Sequence, residues 1–267
     1  MLVTKMHGAR NDFVLVDARM RELVDPSSVA RWICDRRSGV GADGLIVLEK
    51  PDSGDVRMRI VNADGSEAEM CGNGVRCAAR WLDESGEGDR VAFETGAGLV
   101  RTAVVAREPE YLVRVAIERP HLVPISGRVP IATRVDVGNP HVVIFETNVE
   151  AFDLEALAKN FQADPEFPNG TNVHVAAPID IHSIRARHWE RGAGLTQACG
   201  TGAVACAVVA LDKKLVDSPV EVFVPGGRLI VEWDGEGEAY LTGPAARVFD
   251  TEVSFGASVH DISVVQR

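Results

Sequence analysis

Apolar and polar positions along this chain fall mainly into short strand-like runs. These are Asp12–Asp17, Leu45–Glu49, Val56–Val61, Leu99–Ala106, Tyr111–Ile117, His141–Glu146, Ile184–Trp189, Val220–Val224 and Arg228–Trp233. Several alternate with period two, as in Val56-Arg57-Met58-Arg59-Ile60 and Ile184-Arg185-Ala186-Arg187-His188, the pattern of strands with one buried face. Gly96-Ala97-Gly98 and Pro225-Gly226-Gly227 read as the turns of two matching hairpins. Four helices are expected. Pro26–Arg36 follows Asp25 as an N-cap and has Pro26 at its first position, and Leu154–Asn160 follows Asp153. The third is Val75–Leu82 and the fourth Ala203–Leu211. Ala203–Leu211 is apolar without interruption, which predicts a helix buried on every side; Val75–Leu82 is similar, with Arg76 and Arg80 as exceptions. Buried helices among many strands imply an α+β fold in which strongly curved sheets wrap around them.

The two buried helices follow two related motifs, Met70-Cys71-Gly72-Asn73-Gly74 and Ala198-Cys199-Gly200-Thr201-Gly202. Their surroundings repeat in step. Asn11 and Asn139 each stand 60 residues before their cysteine, and Asn62 and Glu190 each stand nine before. Asp43 and Asn172 precede by 28 and 27 residues, and Gly98 and Gly227 follow by 27 and 28. The chain therefore reads as two pseudo-symmetric domains, residues 1–117 carrying Cys71 and 118–243 carrying Cys199. The tail, 244–267, is expected to return to the first domain through the strand-like Ala246–Phe249. One thiol from each half suggests a site at the interface of the halves with two facing cysteines, an arrangement suited to inverting a carbon stereocentre.

Composition narrows the partners. A net charge of −11, with no run of Lys and Arg, disfavours nucleic acid. No apolar stretch approaches the length of a membrane span, and the N-terminus enters polar sequence without the apolar core of a secretion signal. Five cysteines, an odd number spread over 267 residues, do not form a disulfide framework, so a reducing cytoplasm is the expected setting. No Cys-x₂₋₄-Cys spacing suggests a metal site.

A cysteine at a helix start meets backbone N–H groups that lack helical partners. Their partial positive charge is expected to lower the thiol pKa and to hold a substrate carboxylate. Glycines at 72, 74, 200 and 202 let that backbone come close. One thiolate would take a proton from an α-carbon while the other thiol delivers one to the opposite face. Taken alone, either cysteine reads as a small buried core residue; the matched repeat favours chemistry. Cys77 and Cys206, inside the apolar helices, and Cys34, on the first helix, read as core. Gly39-Val40-Gly41-Ala42-Asp43-Gly44 matches the dinucleotide fingerprint in letters, but a helix precedes it and a strand follows, the reverse of the required order.

Beyond these patterns, seven segments resemble the diaminopimelate epimerase family. They are Lys5-Met6-His7-Gly8 with Asn11-Asp12-Phe13, Gly39–Gly44, Asn62–Ser66, Cys71–Arg76, Gly138-Asn139-Pro140-His141, Glu190-Arg191-Gly192 and Ala198–Gly202. The resemblance runs from residue 5 to about 250. It implies a cofactor-independent epimerase that converts L,L-diaminopimelate to the meso form for lysine and peptidoglycan precursor supply, with no metal and usually as a homodimer. Carried over by motif, Cys71 and Cys199 are the acid/base pair, and Gly72, Asn73, Gly200 and Thr201 hold the reacting carboxylate. Asn11, Asn62, Asn139, Asn172, Glu190 and Arg191 bind the rest of the substrate. His141 and Glu190 tune the thiols, and Phe249 corresponds to an aromatic dimer contact. A carboxylate and an ammonium at the far end of the substrate suit Arg191 and Glu190 chemically. The chain departs from the family at Ala9-Arg10, Gly44, Gly170 and Leu195, which leaves open a racemase of another polar amino acid, such as histidine, on the same fold. Two other classes remain: a thiol redox protein, which lacks a Cys-x-x-Cys pair, and an amino-acid binding module, which needs no thiols.

Overall fold

Two kinds of helix organise this protein, and each strand order follows from how they cross. The structure, a computed structural model, describes residues 1–123 and 132–254, so the part of the expected tail at 255–267 lies outside the described residues. The chain divides into two units, Met1–Val115 with the segment from Pro244 onward, and Ala116–Gly243. The first contains β1 (Leu2–Gly8), β2 (Asn11–Asp17), β3 (Gly44–Glu49), β4 (Val56–Asn62), β5 (Glu67–Ala68), β6 (Arg90–Thr95), β7 (Gly98–Ala106) and β8 (Leu112–Ile117). The second contains β9 (His121–Val123), β10 (Ala132–Asp136), β11 (Pro140–Phe145), β12 (Asn172–Asp180), β13 (Ser183–Glu190), β14 (Gly194–Thr196), β15 (Val220–Val224), β16 (Gly227–Glu232) and β17 (Ala239–Pro244). The chain then returns to β1 as β18 (Ala246–Glu252).

Pairing repeats between the units. In the first, β1–β2 is antiparallel, β2–β3 parallel, β3–β4 antiparallel, β4–β6 parallel, and β6–β7 and β7–β8 antiparallel. The second follows the same order through β10, β11, β12, β13, β15, β16 and β17. Parallel neighbours need a crossover, and a helix supplies each one. These are α1 (Pro26–Ile33) between β2 and β3, α2 (Gly72–Glu84) between β4 and β6, α3 (Leu154–Gln162) between β11 and β12, and α4 (Gly200–Asp212) between β13 and β15.

The first crossover helix of each unit is amphipathic. Val29, Ala30 and Ile33 of α1 pack on Val14, Val16, Leu45 and Val47, and Leu154, Ala158 and Phe161 of α3 pack on Val142, Ile144, Val173 and Val175. The second helix takes the other face. Gly74 of α2 lies against Ile46 and Ile60. Strands with a helix on each face must be apolar at every position, which explains the uninterrupted runs Phe13–Val16 and Leu45–Leu48. α4 touches β10, β11, β12, β13, β15 and β16, and α2 touches β1, β2, β3, β6, β7 and β18. A sheet that meets one helix from so many strands must curve around it, and Ala203–Ala210 are accordingly buried throughout. The fold is α+β, with four helices among the described residues.

Boundaries shift where local rules compete with tertiary ones. α1 stops at Ile33 rather than Arg36, because the N–H groups of Gly41 and Ala42 turn back onto the carbonyls of Ile33 and Cys34. α2 and α4 begin at Gly72 and Gly200, three residues before their apolar runs, so the glycines form the first helical turn. Gly39–Gly44 leads from α1 into β3, so no helix follows it, as a nucleotide loop requires. Ala9 and Arg10 form the two-residue turn between β1 and β2 with φ of 51° and 66°. A left-handed conformation costs a residue with a Cβ roughly 1 kcal/mol. Arg10→Gly is therefore expected to raise the unfolding free energy by about 0.5–1 kcal/mol. Urea unfolding checks it, and an unchanged or lowered midpoint contradicts it.

Candidate active site

Cys71 and Cys199 both occupy the N-cap position of a buried crossover helix. Their backbones are extended, with φ, ψ of −141°, 114° and −115°, 115°. The first helical bonds are made by Val75 N–H to Cys71 O and Ala203 N–H to Cys199 O, each 2.9 Å. The intervening N–H groups of residues 72–74 and 200–202 therefore have no carbonyl of their own helix to bond. In α4, Gly202 N–H turns onto Cys199 Sγ at 3.3 Å, and Thr201 Oγ1 lies 3.6 Å from the same sulfur.

The electrostatics of Cys199 overturn the expected lowering of the thiol pKa. Burial pushes this thiol well above its ordinary value, the charge of Glu190 adds to the rise, and Thr201 and Gly202 oppose it too weakly. The cause is physical: a helix start offers a fraction of a charge, whereas removing a sulfur anion from water has a larger opposing effect. Glu190 accepts a hydrogen bond from Thr196 Oγ1 at 2.5 Å, and its carboxylate opposes ionisation of the Cys199 thiol. Cys34 and Cys77 are buried and pushed up to about 12, and Cys206 is raised by burial as well, as suits core thiols.

Around Cys71 the polar side chains interlock. Asn11 Oδ1 accepts from Asn73 Nδ2 at 3.1 Å and from the Cys71 thiol at 3.6 Å. Asn11 Nδ2 donates to Asp43 at 2.8 Å. Asp43 and Asp12 share Arg36 at 2.7 Å each, and Lys5 closes the network on Asp12 at 2.6 Å. Burial raises the Asp12 pKa, but hydrogen bonds from Arg36 and Lys5 outweigh it and hold the carboxyl far below its usual range. Arg76 is fully buried, with Nη2 on Asn73 Oδ1 at 2.7 Å and further bonds to the carbonyls of Gly72 and Pro244 at 3.2 Å. Asn73 thus has both ends of its side-chain amide engaged within the protein. Asn62, exposed, donates to Ser66 Oγ at 3.0 Å.

Around Cys199 the partners are histidines. His141 Nε2 lies 2.8 Å from Asn139 Oδ1, His141 Nδ1 lies 2.7 Å from His174 Nε2, and His174 Nδ1 lies 2.9 Å from His188 Nδ1. Burial is the main cause that lowers all three: His141 and His188 to about 3, and His174 well below the ordinary value of 6.5. The ring nitrogens of His141, the residue expected to tune a thiol, engage Asn139 and His174. Asn172 accepts from the Arg191 backbone N–H at 3.0 Å and donates to Pro140 O at 3.2 Å, so it positions Arg191. The Arg191 guanidinium is exposed, donates to Asn169 O at 3.0 Å, and has no carboxylate partner among the described residues. At Gly170, φ is +72° and an added Cβ would stand 2.4 Å from Gln162 Oε1 and 3.2 Å from Arg191 Cδ, so this departure from the family is built into the backbone.

Sequence reasoning missed Arg36, Arg76, His174, His188 and Thr196. Arg76 had stood out as a charge within an apolar helix, a signal that was available. His174, His188 and Thr196 depend on pairing across strands, and Arg36 on the loop that brings it to Asp12 and Asp43. Phe249 is 45 % exposed and Val248 53 % on β18. Among the described residues, no group of three or more His, Cys, Asp or Glu side chains is disposed to hold a metal, and no helix is long and apolar enough to cross a membrane.

The family model described as diaminopimelate epimerase matches residues 3–123 and 133–248. A diaminopimelate epimerase of Sphingopyxis alaskensis is 42 % identical over 264 residues, covering 94 % of this chain and 97 % of that protein. Among solved structures, a phenazine biosynthesis protein of the PhzF family from Bacillus anthracis is similar with TM-score 0.76 at 18 % identity, over 96 % of this chain and 99 % of that one. A predicted epimerase from Pseudomonas aeruginosa gives TM-score 0.73 at 15 % identity, over 96 % and 99 % of the two chains. These two structures share the fold.

Proposed function

The chain belongs to the diaminopimelate epimerase family, and from that premise we propose that it converts L,L-diaminopimelate to meso-diaminopimelate with Cys71 and Cys199 as its acid/base pair. The observation that carries the reading is the identical placement of the two thiols, each at the N-cap of a buried helix in the second crossover of its unit. Inversion requires that two such sulfurs reach opposite faces of one α-carbon in the catalytic state. At one face the C–H bond breaks as an S–H bond forms; at the other an S–H bond breaks and the new C–H forms. One thiolate and one thiol enter and leave each turnover, with their roles exchanged.

Helical N–H groups at Gly72, Asn73, Gly200 and Thr201 suit the reacting carboxylate, and the same donors offset the further negative charge that develops on it as the α-proton leaves. Cys199 rests as a thiol because burial and Glu190 favour the proton. Glu190 is placed to receive that proton, with Gly202 N–H and Thr201 Oγ1 retaining the sulfur anion. The exposed guanidinium of Arg191, its backbone held by Asn172, suits the distal carboxylate. Asn11, Asn62 and Asn139 complete the polar surface for the substrate. We further assign a cytoplasmic setting, in keeping with a biosynthetic reaction, and self-association through the exposed Phe249 and Val248 of β18.

Incubation in D₂O without added cofactor tests the activity. L,L-diaminopimelate is expected to take up deuterium at one α-carbon and to approach the mixture with the meso form. Histidine and other polar amino acids are run beside it. Exchange confined to one of those, with diaminopimelate untouched, overturns the substrate and establishes a racemase of a different amino acid. No exchange with any of them overturns the reaction class.

A further inference from the structure

His141, His174 and His188 stand on three adjacent strands, β11, β12 and β13, with His174 and His188 directly paired across the ladder. Their relative exposures are 0 %, 0 % and 1 %. Together with Asn139 they form an unbranched row of three hydrogen bonds, and the row has only two polarities. In the first, His188 Nδ1–H donates to His174 Nδ1, His174 Nε2–H donates to His141 Nδ1, and His141 Nε2–H donates to Asn139 Oδ1. Each neutral ring then uses its single N–H once. In the second, every donor and acceptor is exchanged, the Asn139 amide is flipped so that its NH₂ donates to His141, and His188 carries its proton on Nε2.

The far end of the row distinguishes the two. His188 Nε2 is buried and has no hydrogen-bond partner. In the first polarity that atom is a bare lone pair; in the second it is a buried N–H with no acceptor, the rarer and more costly case. Burial also keeps all three rings neutral, so neither polarity is bypassed by a charged ring. Packing holds the row in place: a Cβ at Gly202 would stand 2.6 Å from His174 Cε1, so the ring lies against the first turn of α4, the turn that caps Cys199.

We infer that His174 and His188 are positioning residues that fix the tautomer of His141 and through it hold Asn139 with its carbonyl inward and its NH₂ outward, as a donor to a substrate carboxylate rather than an acceptor for an ammonium. The inference rests on the proposed function only in taking Asn139 to face the substrate. Asn139 is half-buried, and its Nδ2 has no partner among the described residues. The first unit solves the equivalent problem differently: Asp43 draws the NH₂ of Asn11 and leaves its carbonyl beside Cys71. A neutral histidine row orients Asn139 without bringing a further anion towards Cys199, whose thiolate Glu190 already disfavours.

The test is long-range ¹H–¹⁵N spectroscopy of the intact protein labelled at histidine, near neutral pH. The expected tautomers are Nδ1–H for His188 and Nε2–H for His174 and His141. His188→Leu removes the terminal donor; His141 should then show mixed tautomers, and KM for diaminopimelate should rise by about tenfold with a smaller change in kcat, the loss of one hydrogen bond to a charged group. His188→Asn places an amide N–H where Nδ1–H stood and should restore both the tautomer and KM. An Nε2–H form of His188 in the unaltered protein overturns the inference even if no variant folds, and so does a His188→Leu protein with unchanged tautomers and KM. Reversed tautomers in an active epimerase overturn this inference alone. The expected tautomers in a protein that leaves diaminopimelate unchanged overturn the proposed function and, with it, the role given to Asn139.

Discussion

Cys71→Ala and Cys199→Ala should each reduce kcat/KM for epimerisation by about 10⁴-fold or more, the upper end of what one positioned acid/base group supplies. The loss is large because neither sulfur has a substitute. Beside Cys199, the Glu190 carboxylate accepts from Thr196 and has no acidic proton to deliver, and the nearest hydroxyl, Thr201, is far too weak an acid to replace a thiol. Beside Cys71, Asn11 and Asn73 carry amides that neither give nor take a proton near neutral pH. Serine at either position should be nearly as damaging, since an ionised hydroxyl is less accessible than a thiolate in a buried site. Cys34→Ala, Cys77→Ala and Cys206→Ala provide the contrast: these thiols are packed in cores, so their loss should lower stability with kcat/KM largely retained in the folded protein. Steady-state assays in both directions with diaminopimelate measure this. Turnover within tenfold of the unaltered enzyme in either Cys71→Ala or Cys199→Ala would exclude a two-thiol mechanism.

The sequence carried the thiols because their signal is local. A cysteine, two glycines and an apolar run lie within a dozen residues, and the same spacing occurs twice. The doubly buried strands were equally legible, since Leu45–Leu48 needs no partner to be recognised as apolar. β1 was not legible. Its Thr4 and Lys5 read as polar, yet both are buried because Trp81 and Asp250 meet Thr4 and Asp12 meets Lys5. Arg76 belongs to the same class: its carbonyl partner at Pro244 is 168 residues away, and no local rule anticipates a cation satisfied in that way. Within the site, spacing pointed to Asn11, Asn139 and Asn172, but it could not separate their tasks. Asn172 is tied to backbone groups, whereas Asn11 and Asn139 are turned by Asp43 and by the histidine row. His174 and His188 carried no signal at all, because the meaning of each depends on the residue opposite it across the ladder.

Those histidines also set the largest effect expected on stability, a loss in mild acid. In the unfolded chain each begins to bind a proton near the ordinary value of 6.5, whereas in the folded protein His141 and His188 resist until about 3 and His174 until well below 6.5. A folded pKa below the unfolded one means that the unfolded state binds more protons through that interval. Stability is therefore fully present above about pH 6.5 and declines as pH falls towards 3. One such group contributes a slope approaching about 1.4 kcal/mol per pH unit, so three together approach about 4. Between neutral pH and about pH 5 the loss should be on the order of 4–6 kcal/mol, comparable to the whole stability of an ordinary domain. Low-pKa carboxylates such as Asp17, Asp83 and Asp250 add to the loss only at lower pH, below about 4, because they must first be protonated in the unfolded chain. Urea midpoints measured from pH 7.5 down to about 5 should fall steeply, while the slope of the transition stays constant. His188→Leu, if it folds, should reduce the pH dependence by about a third, since one of three groups no longer titrates. A midpoint unchanged across that range, or histidine resonances that titrate near the ordinary value, would show that the row is not held neutral, and the tautomer argument built on it would fail at the same time.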